Sequence, residues 1–386
     1  MNICFFITQY PNPQAGGIEN VTYRLALGLL SRGNNVSCIT FGKSTELDLP
    51  FECLRITENT NENIILNFIS QRNIDIIINQ CIEIKWFYIL KYIRLKLPNI
   101  KLIKAHHTDP LSSLKGVCDN EPLYINANDF SRLLYHISPI TFFRKKRRYN
   151  YLKTQYHEWG HFYDSIVLLS QRFIPVFKQL SGYNSCFVTA IENPVEFNND
   201  NISINKEKII VYVGRLNREA KRPDRLLKIW GKIYKSFPDW KLIFIGDGPL
   251  RNSLEIYTKQ HQLEHVYFTG QINPSNYLRK ASIICITSTY EGFSLVCAEA
   301  LANNVIPIAF DSYEAIKDLI DDGRTGILVK PYNLNIYANN LTELMYNTTF
   351  SNQLYNNISS DKNIRQRLSM DNILNNWEIL FHKLLS

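Results

Sequence analysis

Residues 289–300 read TYEGFSLVCAEA, and the rest of the chain is best read outward from them. The apolar run 283–286 just before predicts a strand, and the polar Glu291-Gly292 predicts a loop. From Ser294 the pattern turns helical, with Leu295, Val296 and Ala298 spaced to face a core. A helix that starts right after a strand end offers unpaired backbone N–H groups and the positive end of a dipole, which together make an anion site. Glu291 and Glu299 flank that site, one on the loop and one about a turn and a half into the helix. Carboxylates accept bonds from hydroxyls and repel phosphate. The layout therefore predicts a ligand with hydroxyl-rich groups on both sides of a phosphate, as in a nucleotide sugar. Two solvated glutamates on a strand–loop–helix would fit the same stretch, so the remaining sequence has to decide.

At 386 residues the chain is long enough for two domains of ordinary size. Its 45% apolar and 20% charged residues give a globular balance. A net charge of +8, from 43 basic and 35 acidic residues, permits an anionic ligand or membrane surface without requiring nucleic acid. The eight cysteines include no CxxC, and Cys4, Cys38 and Cys285 lie in apolar runs, which fits reduced, buried thiols better than a disulfide framework. Residues 1–10 lack a basic leader and predict a first strand, and no run has the ~18 apolar residues of a bilayer span. The expected location is the cytoplasm.

The first half alternates strands (3–7, 36–41, 74–78, 102–105, 166–169) with amphipathic helices (18–32, 61–71, 85–97, 171–180). A polar stretch at 196–206 reads as a hinge. A second alternating series comes next, with strands at 208–213, 242–245, 266–268, 283–286, 306–309 and 327–329 and helices at 224–235 and 250–262. The last helix covers 372–385. Such alternation predicts an α/β architecture of parallel sheets covered on both faces.

Several short motifs stand where strands end. Gly16-Gly17-Ile18-Glu19 lies between the first strand and first helix, where glycines let the backbone approach a phosphate. G-x-G-x-x-G is absent, so this is not the dinucleotide fingerprint. Val213-Gly214-Arg215-Leu216 ends the first strand of the second half, and Lys221-Arg222-Pro223-Asp224 opens the next helix. Arg215 and Lys221 are expected to converge on one anion and stabilise a leaving diphosphate. Phe268-Thr269-Gly270-Gln271-Ile272 is another strand end, and His106-His107-Thr108-Asp109-Pro110 closes a strand of the first half.

The order and spacing of these motifs resemble the retaining glycosyltransferases of family 4. The carriers are GGIE, the GRL…K pattern of Arg215 and Lys221, H-x-x-P at His107, and E-x7-E at Glu291 and Glu299. The resemblance implies a GT-B fold: two Rossmann-like domains with parallel sheets facing a central cleft, and a C-terminal helix crossing back to the first domain. It implies an acceptor-side domain over 1–195, a donor domain over 196–368 and the returning helix over 369–386. It further implies transfer of a sugar from a UDP- or GDP-linked donor to an acceptor hydroxyl with retention, without metal or cofactor. The acceptor would be a glycan or lipid-linked molecule in surface polysaccharide or glycolipid synthesis.

Residue by residue, the resemblance places Gly16, Gly17, Arg215 and Lys221 on the diphosphate and Ile272 beside the base. Glu291 and His107 would meet the transferred sugar. Phe293, Ser294, Leu295 and Val296 would line sugar and phosphate, and Glu299 would accept the ribose hydroxyls. Ser294 departs from a common glycine, and Asn303-Asn304 from a small residue followed by glycine. A sugar-nucleotide epimerase of the same architecture needs an added acid/base pair that the sequence does not reveal. A non-catalytic membrane- or sugar-binding protein would not need Arg215, Lys221, Glu291 and Glu299 intact.

Two stretches lie outside this pattern. His157-Glu158-Trp159-Gly160-His161 matches HExxH, which on a helix places two histidines around zinc, but Gly160 is expected to weaken a helix there and no third ligand is evident. Residues 142–151, FFRKKRRYNY, read as a surface helix whose cations meet anionic lipid or solvent, with no nucleic-acid fold around them.

Overall fold

The computed structural model describes the chain except residues 14–16, 42–47, 58, 82–83, 116–137, 183–185 and 198–205, and the side chains of 84 and 85. The chain divides into two compact units: Met1–His107 with Leu152–Pro194 and Arg367–Ser386, and Thr108–Tyr151 with Val195–Gln366. Gly16 and most of the hinge expected at 196–206 lie outside the described residues.

The first unit is built on seven parallel strands: β1 (Asn2–Ile7), β2 (Asn35–Thr40), β3 (Glu52–Arg55), β4 (Ile76–Asn79), β5 (Lys101–His106), β6 (Ser165–Leu168) and β7 (Phe187–Ala190). Their order is β3-β2-β1-β4-β5-β6-β7. The inner strands are apolar almost throughout because helices cover both sheet faces. Helix α1 (Ile18–Ser31) buries Val21, Leu25, Ala26 and Leu29, which explains its helical spacing. The edge strands β3 and β7 have no counterpart in the sequence reading. Both are short and partly exposed, so neither shows the continuous apolar run of a buried parallel strand.

Two longer helices stand apart from this alternation. Helix α2 (Pro139–Phe162) runs unbroken through Gly160, correcting the expectation that this glycine weakens it. Its buried side (Leu152, Tyr156 and Trp159) anchors it, and such packing outweighs the roughly 1 kcal/mol cost of an interior glycine. The last helix lies over Met370–Leu385 and packs on α1. A Cβ on Gly28 would come within 2.7 Å of Leu374, so α1 carries glycine where the two helices touch. Beside that contact Arg32 pairs with Asp371 at 3.2 Å and Glu378 at 2.7 Å.

The second unit holds six parallel strands: β8 (Glu207–Val213), β9 (Lys241–Ile245), β10 (Val266–Gly270), β11 (Ala281–Ile286), β12 (Ile306–Phe310) and β13 (Ile327–Val329). The order is β10-β9-β8-β11-β12-β13, so the winding direction reverses between β8 and β11. In open parallel sheets ligands sit beyond the carboxyl ends of strands at such a reversal. The loops after β8 and β11 are the stretches that carry Arg215, Lys221 and Glu291.

Candidate functional site

Close backbone packing shapes the rim of the second sheet. Gly214 N donates to Ile245 O at 3.0 Å, Leu216 N to Asp247 O at 2.8 Å, and Gly246 N to Gly270 O at 2.8 Å. The loops after β8, β9 and β10 are thereby laced side by side. Gly246 adopts φ +137°, and a Cβ there would stand 2.1 Å from Gly214 O. Only glycine allows this approach.

The loop from Gly214 turns back through Asn217, whose Oδ1 accepts from Lys221 N at 3.1 Å and whose carbonyl accepts from Arg222 N at 3.0 Å. This turn aims Lys221 at the reversal point just before helix α3 (Pro223–Ile233). From that helix the buried Arg225 donates to Thr287 O at 3.0 Å and to Thr289 Oγ1 at 3.2 Å, with its guanidinium 3.8 Å from the centre of the Tyr332 ring. Arg225 therefore fixes the start of the loop that carries Glu291.

The Glu291 side chain is 8% exposed and has two donors. Lys221 Nζ meets Oε2 at 2.8 Å, and Ser288 Oγ meets Oε1 at 2.6 Å. Ser312 Oγ donates to Ser288 O at 2.7 Å, and Ser312 O accepts from Lys115 Nζ at 2.9 Å. Lys115 also pairs with the buried Asp109 at 2.7 Å. A small recess here is lined by Tyr212, Lys221, Ser288, Glu291, Ser294 and Val296, among others. Burial, followed by the nearby Glu291 charge, pushes the Tyr212 hydroxyl well above its ordinary range, so it acts as a neutral donor.

Helix α4 (Leu295–Ala302) starts directly on this recess. Ser294 precedes it without a side-chain cap, and its buried hydroxyl, beside that of Tyr313, makes no well-formed hydrogen bond. Phe293 is buried, while Leu295 and Val296 are half-buried at the helix start. Glu299 lies on the second turn, half-buried.

Lys221, Glu291, Ser294 and Val296 thus come together around one recess. Arg215 does not join them in this conformation. It is exposed beyond Gly214, and its guanidinium makes no ion pair among the described residues. Lys221 is paired with Glu291 and does not converge with Arg215 on a shared point. Ile272 is 43% exposed just past β10. Gly17 stands at the N-terminus of α1 with φ +68° and open space around its Cα, and Gly16 lies outside the described residues.

His106 and His107 belong to the first unit. His106 ends β5, 4% exposed, with Nε2 3.3 Å from the Tyr156 hydroxyl and its ring against Trp159. Burial, with the Lys104 charge adding to it, lowers both histidines to about 3, so both rings are neutral at physiological pH. His107 follows the strand half-buried, with Nε2 enclosed and without a hydrogen bond.

HExxH does lie on a helix. Even so, His157 Nδ1 is 3.1 Å from Ser181 O and His161 Nδ1 is 2.9 Å from His157 O. No group of three or more His, Cys, Asp or Glu among the described residues is placed to hold a metal.

Ser288, Asn217 and Arg225 have no place in the sequence reading. Ser288 stands three residues before Glu291, a spacing within reach on a tight loop, but serines are too common in loops for that to single it out. Arg225 falls on the core-facing stripe of α3, where a basic residue among apolar ones is a readable signal of a buried partner.

The fold is GT-B, two Rossmann-like domains each on a parallel sheet. It is shared with the TarM crystal structure at TM-score 0.75 and 13% identity, covering 98% of each chain. It is also shared with the Anabaena protein HepE in complex with UDP-glucose at TM-score 0.71 and 15% identity, covering 99% of this chain and 100% of that one.

Residues 195–361 match the family model described as Glycosyl transferases group 1. The GalNAc-alpha-(1->4)-GalNAc-alpha-(1->3)-diNAcBac-PP-undecaprenol alpha-1,4-N-acetyl-D-galactosaminyltransferase of Campylobacter jejuni is 31% identical over 44% of this chain and 48% of its own length. The poly(ribitol-phosphate) alpha-N-acetylglucosaminyltransferase of Staphylococcus aureus is 26% identical over 56% of this chain and 43% of its own. The chain spans about half the length of these curated relatives.

Proposed function

We propose that this chain is a retaining, metal-independent glycosyltransferase that moves a sugar from a UDP- or GDP-linked donor to a hydroxyl of a glycan or lipid-linked acceptor. The setting would be surface polysaccharide or glycolipid synthesis in the cytoplasm, with peripheral contact to the membrane. The observation that carries the reading is the Lys221–Glu291 pair, backed by Ser288, at the strand-order reversal and the start of α4. Resemblance to the family 4 motifs and the UDP-glucose complex of HepE support the donor class.

On this reading the donor diphosphate lies against the start of α4, with Lys221 and Arg215 supplying positive charge as the glycosidic C–O bond breaks. Glu291 orients the hydroxyls of the transferred sugar, and Glu299 accepts the ribose hydroxyls. His107, neutral, hydrogen-bonds the sugar. The acceptor attacks from the face the leaving group departs, and the departing phosphate takes its proton. The two glutamates do not form a hydrolase pair, because each faces a different part of the donor.

Melting-point shifts against a nucleotide panel identify the base, since a ligand of the folded state raises the melting point by mass action. Donor turnover with and without acceptor then separates transferase from epimerase, as only the transferase needs acceptor. Full turnover in chelator supports metal independence. Donor consumption that ignores Lys221→Gln and Glu291→Gln would sink the assignment.

A further inference from the structure

Helix α2 changes character at Tyr151. C-terminal to it, Leu152, Tyr156 and Trp159 are buried; N-terminal to it, every residue from 142 to 151 is exposed. This half begins with Ile140, Phe142 and Phe143 on either side of the buried Thr141, the two phenylalanines 65% and 67% exposed with ring centres 6.0 Å apart. Arg144, Lys145, Lys146, Arg147 and Arg148 come next without interruption.

Consecutive residues turn by about 100° on a helix, so this run encircles the axis. There is no apolar face opposite a polar one. Polarity changes along the axis instead, from an aromatic tip to a cationic collar. In water the rings stay exposed and the neighbouring cations repel one another. Lys145 and Arg148, three residues apart, stand at a spacing where like charges destabilise a helix. Among the described residues Lys145, Lys146 and Arg147 pair with no carboxylate.

An anionic bilayer surface relieves both burdens, since lipid phosphates neutralise the collar while the rings enter the boundary between headgroups and acyl chains. The dimensions agree. Lys146 lies about 6 Å along the axis from Phe142, close to the roughly 5–8 Å depth of one headgroup layer. We propose that the N-terminal half of α2 docks on an anionic phospholipid surface, with Phe142 and Phe143 inserted and the collar at the level of the phosphates. A free polyanion such as nucleic acid would use the collar alone and leave the adjacent aliphatic Ile140 in water.

The test is partition of the full chain onto phosphatidylcholine vesicles with and without phosphatidylglycerol, at low and high salt. Binding is expected only with phosphatidylglycerol, and weaker in high salt. Replacing Lys145, Lys146 and Arg147 by glutamine lowers the partition coefficient about a hundredfold, near fivefold per cation. Phe142→Ser with Phe143→Ser lowers it by about thirtyfold or more. All these side chains are exposed, so melting points do not fall. In Phe142→Trp, the added indole emission is quenched by brominated phosphatidylglycerol.

Equal partition onto both vesicle types, no partition onto either, a triple variant that binds like the parent, or an oligonucleotide that displaces the vesicles would each overturn the proposal. The proposal rests on the membrane contact included in the function proposed above and assigns it to one helix; no donor or turnover enters the measurement, so its failure leaves the transferase reading standing.

Discussion

Glu291→Gln keeps the size of the side chain and a carbonyl for Ser288 while deleting the charge that faces Lys221. The two side chains are 8% and 25% exposed, which puts the pair between the screened and the desolvated limits. Exposed pairs contribute ~0.2–1 kcal/mol, and breaking a buried one costs about 3–5 kcal/mol. A loss of about 1–2 kcal/mol is expected, and the second unit should melt roughly 3–6 °C lower. The effect on ligand has the opposite sign. Freed from Glu291, the ammonium offers its whole charge to a diphosphate, and the free nucleoside diphosphate binds about fivefold tighter, near 1 kcal/mol. Sugar transfer, by contrast, drops about a hundredfold as the sugar loses its anchor. Titration calorimetry with the nucleoside diphosphate and a donor-consumption assay read the two quantities. Should Glu291→Gln and Lys221→Gln weaken nucleotide binding alike, the pair would not set the charge available at the recess, and the reasoning fails.

Ser288→Ala removes the 2.6 Å donor to Glu291; turnover should fall about tenfold with nucleotide affinity within a factor of two, as for a residue that acts by orientation. Gly246→Ala forces a side chain onto Gly214 O at φ +137°, so chemical denaturation should show about 3 kcal/mol or more lost, whereas Gly17→Ala, in open space at φ +68°, costs about 1 kcal/mol. His106 stays neutral to about 3 when folded, yet protonates near 6.5 when unfolded. The unfolded chain therefore holds more protons in that window, and stability declines as pH falls through it. Urea midpoints at pH 7 and 5 should show about 2 kcal/mol less acid loss in His106→Gln than in the parent.

Much of the fold was readable because parallel strands buried on both faces announce themselves as unbroken apolar runs, as in β1, β4 and β11. β3 and β7 escaped because an edge strand needs no such run. Gly160 misled because local propensity is a small term beside the anchoring of Tyr156 and Trp159. For the site, residue type and spacing brought out Lys221, Glu291 and the start of α4. Their partners were hidden: Ser288 and Asn217 act by loop geometry, which a sequence does not display. Arg215 reads from sequence as a partner of Lys221, but its exposed guanidinium stands apart while Lys221 binds a carboxylate.

The chain leaves the first unit at Pro194 and supplies its final piece only from Arg367 onward. During synthesis on a ribosome, the stripe of α1 around Gly28 therefore waits uncovered while the entire second unit is made. The nascent first unit stays incomplete until Leu374 arrives to close that seam. Chains stalled or cleaved before the last helix should accumulate with chaperones, and Leu374→Asp should divert full-length chains to the same fate.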